Sequence, residues 1–218
     1  MSRKRRGEAM SRLITAVVLM TAWGADEAGA KGKVAAEEVT VQVYLSLTYL
    51  PISGNAVFIA RMEASRLFQA EGIRLEWVDG KAPAGESGRL VVGITSVADA
   101  PIEFRTRGNA HVLAIARPYA NGPAGIVIFG DRVTQYLEGY RGISAGKLLG
   151  HILAHEIGHV VEGVARHSTS GLMKAAWTTD DRREMTGKGL GFSEEDRLLL
   201  DVRAMAAAAR AAMEYAKR

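Results

Sequence analysis

The stretch Leu148-Leu-Gly-His151-Ile-Leu-Ala-His155-Glu156-Ile-Gly-His159-Val-Val-Glu162-Gly163-Val-Ala-Arg-His167 decides how the rest of this chain is read. It holds four of the five histidines. His155 and His159 are four residues apart, so on a helix their rings lie one above the other, and two imidazole nitrogens can meet one ion at about 2.0–2.1 Å. Glu156 projects about 100° away round the helix, outside comfortable ligation but within reach of a water on that ion. At the same angular step Leu149, Ile152, Leu153, Ile157 and Val160 form one apolar arc, and Glu156 falls inside it with no Lys or Arg one turn away. A carboxylate there is costly without a partner. Glu162, by contrast, falls on the side expected to be polar, where an idle surface glutamate belongs. His-Glu-x-x-His also arises by chance in many proteins, and the pair alone is equally compatible with histidines satisfied in a core or on a surface.

The continuation separates those readings. Gly163 can end the helix in a left-handed turn that a β-carbon disfavours, and few residues are then needed to swing His167 back beneath the ion. Three neutral imidazoles leave a fourth position open, which marks a catalytic site more than a structural one. The chain has no cysteine, so any metal must be held by histidine and carboxylate. Glu184, Glu194 and Glu195 are alternative third ligands, in or beside a charged segment that reads as solvated. His151 lies one further turn upstream, about 6 Å along the axis, too far to converge with the other two, and reads as a supporting or surface residue. Ser168-Thr-Ser-Gly171-Leu-Met173 then supplies a tight turn ending in a methionine.

Together these residues resemble the metzincin zinc metallopeptidases, whose pattern is His-Glu-x-x-His-x-x-Gly-x-x-His followed by a methionine turn. The matching positions are His155, Glu156, His159, Gly163, His167 and Met173, with one extra residue before the glycine and another before the last histidine. His-Glu-Ile-Gly-His and the His-Ser-x-x-Gly-x-Met run look most like the matrixin branch. The resemblance implies an α+β, zincin-like fold: a mixed twisted sheet of about five strands with an antiparallel edge strand, an active-site helix and a C-terminal helix. It also implies a single Zn2+ on His155, His159 and His167, and a peptide or protein substrate pairing with the edge strand. Zinc would polarise the scissile carbonyl, while Glu156 takes a proton from water and later gives it to the leaving amine. Met173 would form an apolar floor beneath the metal. No oxyanion stabiliser is marked, because Lys174-Ala-Ala-Trp177 follows the methionine where some metzincins place a tyrosine. The alternative is an exported zinc-binding or interaction protein that keeps the fold without turnover; an intact Glu156 speaks against it.

Upstream, the alternating, β-branched run Val39 to Leu47 predicts a strand, broken by Pro51 to Gly54. Helical spacing of apolar residues over Asn55 to Ala70 predicts about four turns, with Asn55 as N-cap and Gly72 as terminator. Strands are expected at Ile73 to Val78, Leu90 to Ile94, His111 to Arg117 (the candidate edge) and Gly125 to Phe129. A short helix capped by Asp131, a long one from Ser144 to Val161, and a last one from Ser193 to about Tyr215 complete the order, the last opened by a Ser193/Asp196 capping box.

At 218 residues and 48% hydrophobic composition the chain supports one core-forming domain beside a leader. Arg3, Lys4, Arg5 and Arg6 precede an apolar run from Leu13 to Trp23 and small residues between Ala22 and Ala30, which is signal-peptide architecture. Residues 1–30 are therefore expected to be a signal peptide or N-terminal anchor, residues 31–218 a single catalytic domain, and the protein exported, on a membrane only if the leader is uncleaved. The run is shorter than the roughly 20 apolar residues that span a bilayer. The leader holds five Lys/Arg against three Asp/Glu, half of the net +4. With no basic helix or aromatic-and-Arg platform in the remainder, nucleic acid is not expected as a partner.

Overall fold

The computed structural model describes residues 39–83, 90–105, 111–117 and 124–201. The expected leader, and the part of the expected last helix beyond residue 201, lie outside the described residues. The fold is α+β, built on a five-stranded mixed sheet.

The chain opens with β1 (Val39–Ser46), whose alternation turns Val41, Val43 and Leu45 into the core. Helix α1 (Gly54–Gln69) follows. Its cap is Ser53 rather than the expected Asn55: the Ser53 backbone is extended and its hydroxyl accepts from Ala56 N at 3.2 Å, which places Asn55 inside the first turn. Strands β2 (Ile73–Asp79) and β3 (Leu90–Val97) come next. A 3-10 turn over Ile102–Phe104, unforeseen in the sequence, precedes β4 (Ala114–Arg117) and β5 (Ala124–Phe129). The sheet order is β2-β1-β3-β5-β4, with β4 antiparallel to β5 and every other pair parallel. The expected edge strand is therefore an edge strand, but shorter by three residues, since His111, Val112 and Leu113 precede the ladder.

Register places one set of apolar side chains on a common face. Val43 pairs with Val92 and Leu45 with Ile94; Ile94 pairs in turn with Ile126, and Ile128 with Ala114, all of them buried. Against this core lie α1 and the long helix α3 (Ala145–Glu162), capped by Ser144, whose hydroxyl accepts from Lys147 N at 3.2 Å. The two helices approach closely through Gly146 and Gly150. A β-carbon at Gly146 would stand 2.9 Å from Ala56 O, and one at Gly150 would stand 3.0 Å from Ala60 O. Only hydrogen fits where one helix meets the backbone of the other.

Helix α2 (Gly130–Gly139) takes Phe129 as its N-cap residue, not Asp131. Asp131 sits in the first turn, where its Oδ1 accepts from Ala100 N at 3.0 Å and ties the segment after β3 to the helix. The charged stretch read as solvated is so, with only Met185 of it buried, and it folds as α4 (Thr179–Thr186), opened by a Thr178/Asp181 capping box. Residues 194–201 are helical, and the expected Ser193/Asp196 box is present: Ser193 N donates to Asp196 Oδ2 at 3.0 Å and Asp196 N to Ser193 Oγ at 3.2 Å. No described helix is long and apolar enough to cross a membrane.

Candidate metal centre

The last two turns of α3 carry His155, Glu156 and His159, and the helix then stops at Gly163, whose φ of 65° is the left-handed cap read from the sequence. The chain turns back, and His167 arrives beside the other two. One ring nitrogen from each of the three histidines lies within 4.8 Å of the others, so the trio could hold a metal ion. Ring centroids are 4.7 Å apart for His155 and His159, 5.4 Å for His155 and His167, and 5.0 Å for His159 and His167.

Hydrogen bonds aim two of these rings. His155 Nδ1 lies 2.9 Å from Leu172 O, and His159 Nδ1 lies 3.3 Å from Val164 O. A carbonyl can only accept, so each Nδ1 carries the proton and each Nε2 is left with a bare lone pair. Those two Nε2 atoms face one another at 3.1 Å. Two acceptors at that distance repel unless a cation stands beside both. A shared proton is a poor candidate, because burial, aided by the neighbouring histidine, pulls His155 down to about 3 and His159 to about 4. Neutral imidazole is the form a metal ion takes as ligand, and the donor set fits one. His167, the exposed member of the trio, is lowered too, by partial burial and then by His111, the fifth histidine, which shares its cleft.

Glu156 is only 7% exposed, and burial alone raises it to about 8. It lines the same cleft as the three histidines, a cavity of about 530 Å³, and has no hydrogen bond or ion pair with any described residue. The apolar arc that made it conspicuous in the sequence is real: Leu149, Ile152, Leu153 and Ile157 are all within the core. The companion inference about Glu162 is corrected. Glu162 is 0% exposed, not on a polar face, because the return of the chain after Gly163 lays Arg166 over the last turn of α3, with Arg166 Nε 3.7 Å from Glu162 Oε2. Neither Glu162 oxygen finds a hydrogen bond, and burial raises its carboxyl to about 7 against the pull of Arg166.

Met173 is wholly buried beneath the helix, its sulfur 2.7 Å from where a β-carbon on Gly158 would stand. The glycine between Glu156 and His159 thus admits the methionine, a coupling the sequence did not advertise. Its turn is pinned at both ends: Ser168 N donates to Met173 O at 2.8 Å, and Leu172 N to Gly191 O at 2.7 Å. Asp196 fastens the strap that carries His167. Its Oδ1 accepts from Arg166 Nη2 at 2.8 Å and from the Ser168 hydroxyl, the residues on either side of that histidine.

His151 is neither a ligand nor a surface residue. It is entirely buried, with Nδ1 at 2.7 Å from Lys147 O and Nε2 accepting from Leu190 N at 3.0 Å. The alternative carboxylate ligands Glu184, Glu194 and Glu195 do not join the histidine cluster: Glu194 and Glu195 are exposed, Glu195 beside Arg166, and the half-buried Glu184 is paired with Lys188. Sequence reasoning missed Trp177, whose indole N–H donates to Leu172 O at 3.0 Å and whose ring stands edge-on to His155 at 5.7 Å. It also missed Tyr136 and Arg182 in the cleft wall. Nothing in their spacing announces them, because they come from α2 and α4 and meet only in the folded chain. No protein-family model matches the chain, and no curated protein matches it.

Proposed function

We propose that this protein is a zinc-dependent endopeptidase of metzincin type. The observation that carries the reading is the pair of bare Nε2 atoms facing one another at 3.1 Å, with a third imidazole and an unpartnered carboxyl in the same cleft. A purely structural ion has no use for that carboxyl. His155, His159 and His167 would hold the metal. Zinc, when bound, polarises a scissile carbonyl and lowers the pKa of a water toward about 7.

The chain's own groups supply the rest. Glu156, raised to about 8 by burial, becomes the carboxylate beside a cation; it then accepts a proton from the attacking water and delivers it to the leaving amine. Leu172 O and Val164 O hold the His155 and His159 rings in register. Edge strand β4 pairs only with β5 among the described residues, and Leu113, Ala114, Ile115 and Ala116 line the cleft. An extended peptide can add there as a further strand. The leader reading of residues 1–30 supports export, which N-terminal sequencing of the mature protein checks.

The decisive experiment is Glu156→Gln. Zinc content should stay near that of the unaltered protein, while hydrolysis of an unfolded protein such as casein drops by about 10²–10⁴. Zinc bound normally with no hydrolysis by the unaltered chain would leave a binding protein in place of an enzyme.

A further inference from the structure

The charges lining the cleft bear on what enters it. Among its described residues are three cations, Arg132, Lys174 and Arg182, against one carboxyl, Glu156. Lys174 is met by Asp181, and Arg132 lies 3.7 Å from Asp131. Arg182 has no carboxylate partner among the described residues. Its Nη2 donates to Thr179 Oγ1 at 3.0 Å, while its buried Nε donates to nothing. The guanidinium is held against two rings, 5.6 Å from the centre of Tyr136 and 4.9 Å from that of Tyr140. A cation held over aromatic rings keeps its charge without a carboxylate, and the N–H groups of the guanidinium that meet no acceptor stay available to a ligand. The Tyr136 hydroxyl beside it is buried without a well-formed hydrogen bond.

We propose that Arg182 and Tyr136 form a carboxylate-binding subsite of the cleft, so that the preferred ligand is a peptide bearing a carboxylate. Each group keeps donor capacity to spare beside the other, since Arg182 spends only Nη2, on Thr179 Oγ1, and the Tyr136 hydroxyl proton meets no acceptor among the described residues; one of the two is permanently charged. A carboxylate supplies two oxygens in the plane of the guanidinium fork, the arrangement arginine recognises best, and leaves a lone pair for the phenol. An amide offers one oxygen and no charge, and a lysine or arginine side chain brings only more donors. The carboxylate can come from a glutamate side chain or from the C-terminus of the peptide. This deepens the peptidase reading, because it names a substrate class for the same cleft, but it can be tested without turnover.

The test uses the full zinc-loaded chain carrying Glu156→Gln, so that nothing is cut, and calorimetric titration with three peptides. One is an acetylated, amidated alanine pentapeptide with a central glutamate. The second has glutamine in its place, and the third is acetylated all-alanine with a free C-terminus. At least one carboxylate peptide should bind about tenfold more tightly than the glutamine peptide, as a charge-assisted hydrogen bond implies. Which one does so identifies the source. Arg182→Gln should remove the margin, and Tyr136→Phe should reduce it by a smaller factor. Equal binding of all three peptides overturns the proposal. So does a margin that survives Arg182→Gln, which is what a carboxylate resting on the metal alone would give. If Arg182→Gln fails to fold, Arg182→Lys keeps the charge and loses the fork; a margin unchanged in it and in Tyr136→Phe overturns the proposal equally. Failure of the unaltered enzyme to cut any peptide counts against the peptidase reading and leaves the binding margin untouched.

Discussion

His151 and His155 sit one turn apart on the same helix, both inside the protein, and they are opposites. His151 has spent both ring nitrogens on backbone, on Lys147 O and Leu190 N, and braces α3 to the segment before the last helix. His155 has spent one, on Leu172 O, and points the other at a second bare nitrogen. The same contrast runs through the whole helix. Its first half meets α1 through glycines and apolar side chains, whereas its second half buries Glu156 and Glu162 without hydrogen bonds. A buried polar group that is satisfied is architecture; one that is left unsatisfied is destabilising and persists where something outside the chain completes it.

Removing one histidine of each kind should divide these roles cleanly. The largest effect is expected from His159→Ala, which takes away one of the facing nitrogens: zinc content after dialysis should drop from about one per chain to near zero, since three protein ligands are the usual minimum for such a site. Retention of zinc by this variant would break the contrast. His151→Ala should do the reverse. By opening a cavity and stranding Leu190 N it should lower folding stability by about 3 kcal/mol in urea titration, with zinc affinity within a few fold of the unaltered chain.

A smaller change tests the strap. Asp196→Asn weakens the acceptor shared by Arg166 and the Ser168 hydroxyl on either side of His167, and zinc affinity should fall by about 10–100-fold, the usual cost of disturbing a residue that orients a ligand. The effect should be largest on release rate, read by a chromophoric chelator.

The finest test is the pH dependence of the metal-free chain. His155 and His159, held at about 3 and about 4 against 6.5 when unfolded, have lowered folded values, so their contribution is whole above 6.5 and is lost as pH falls below it. Glu156 and Glu162, raised to about 8 and about 7 against 4.5, are protonated in the fold, so stability is lost as pH rises above 4.5. Between 4.5 and 6.5 the two pairs oppose each other. Thermal unfolding with chelator should show a plateau there and a decline on both sides. Zinc should flatten the alkaline decline, because a cation favours the Glu156 carboxylate.

Much of this was legible before any folding was considered. Strand and helix order followed from periods of two and 3.6 in apolar residues, and the His155–Glu156–His159 face followed from the angular step of a helix. Gly163 announced its turn, because only a residue without a β-carbon takes that conformation cheaply. These are local properties, carried by residues a few positions apart. What went wrong was equally physical. Glu162 was assigned to solvent because a helical wheel knows the angle of a side chain and nothing of the chain that later covers it. Asn55 and Ser53 are both good caps, and only the backbone at the actual boundary chose between them.

The amino-acid order by itself determined the five strands and the longer helices, though not the 3-10 turn or α4, and that two imidazoles and a carboxylate crowd one end of one helix. Tertiary structure alone decided that His151 is a buried brace and not a surface residue, that Asp196 anchors the loop carrying His167, and that Tyr136 and Arg182 meet in the cleft. The reason is range. Periodicity and capping act over one or two turns, whereas hydrogen-bond satisfaction is settled by partners tens of residues away, as with His151 and Leu190, which become neighbours only when the core closes.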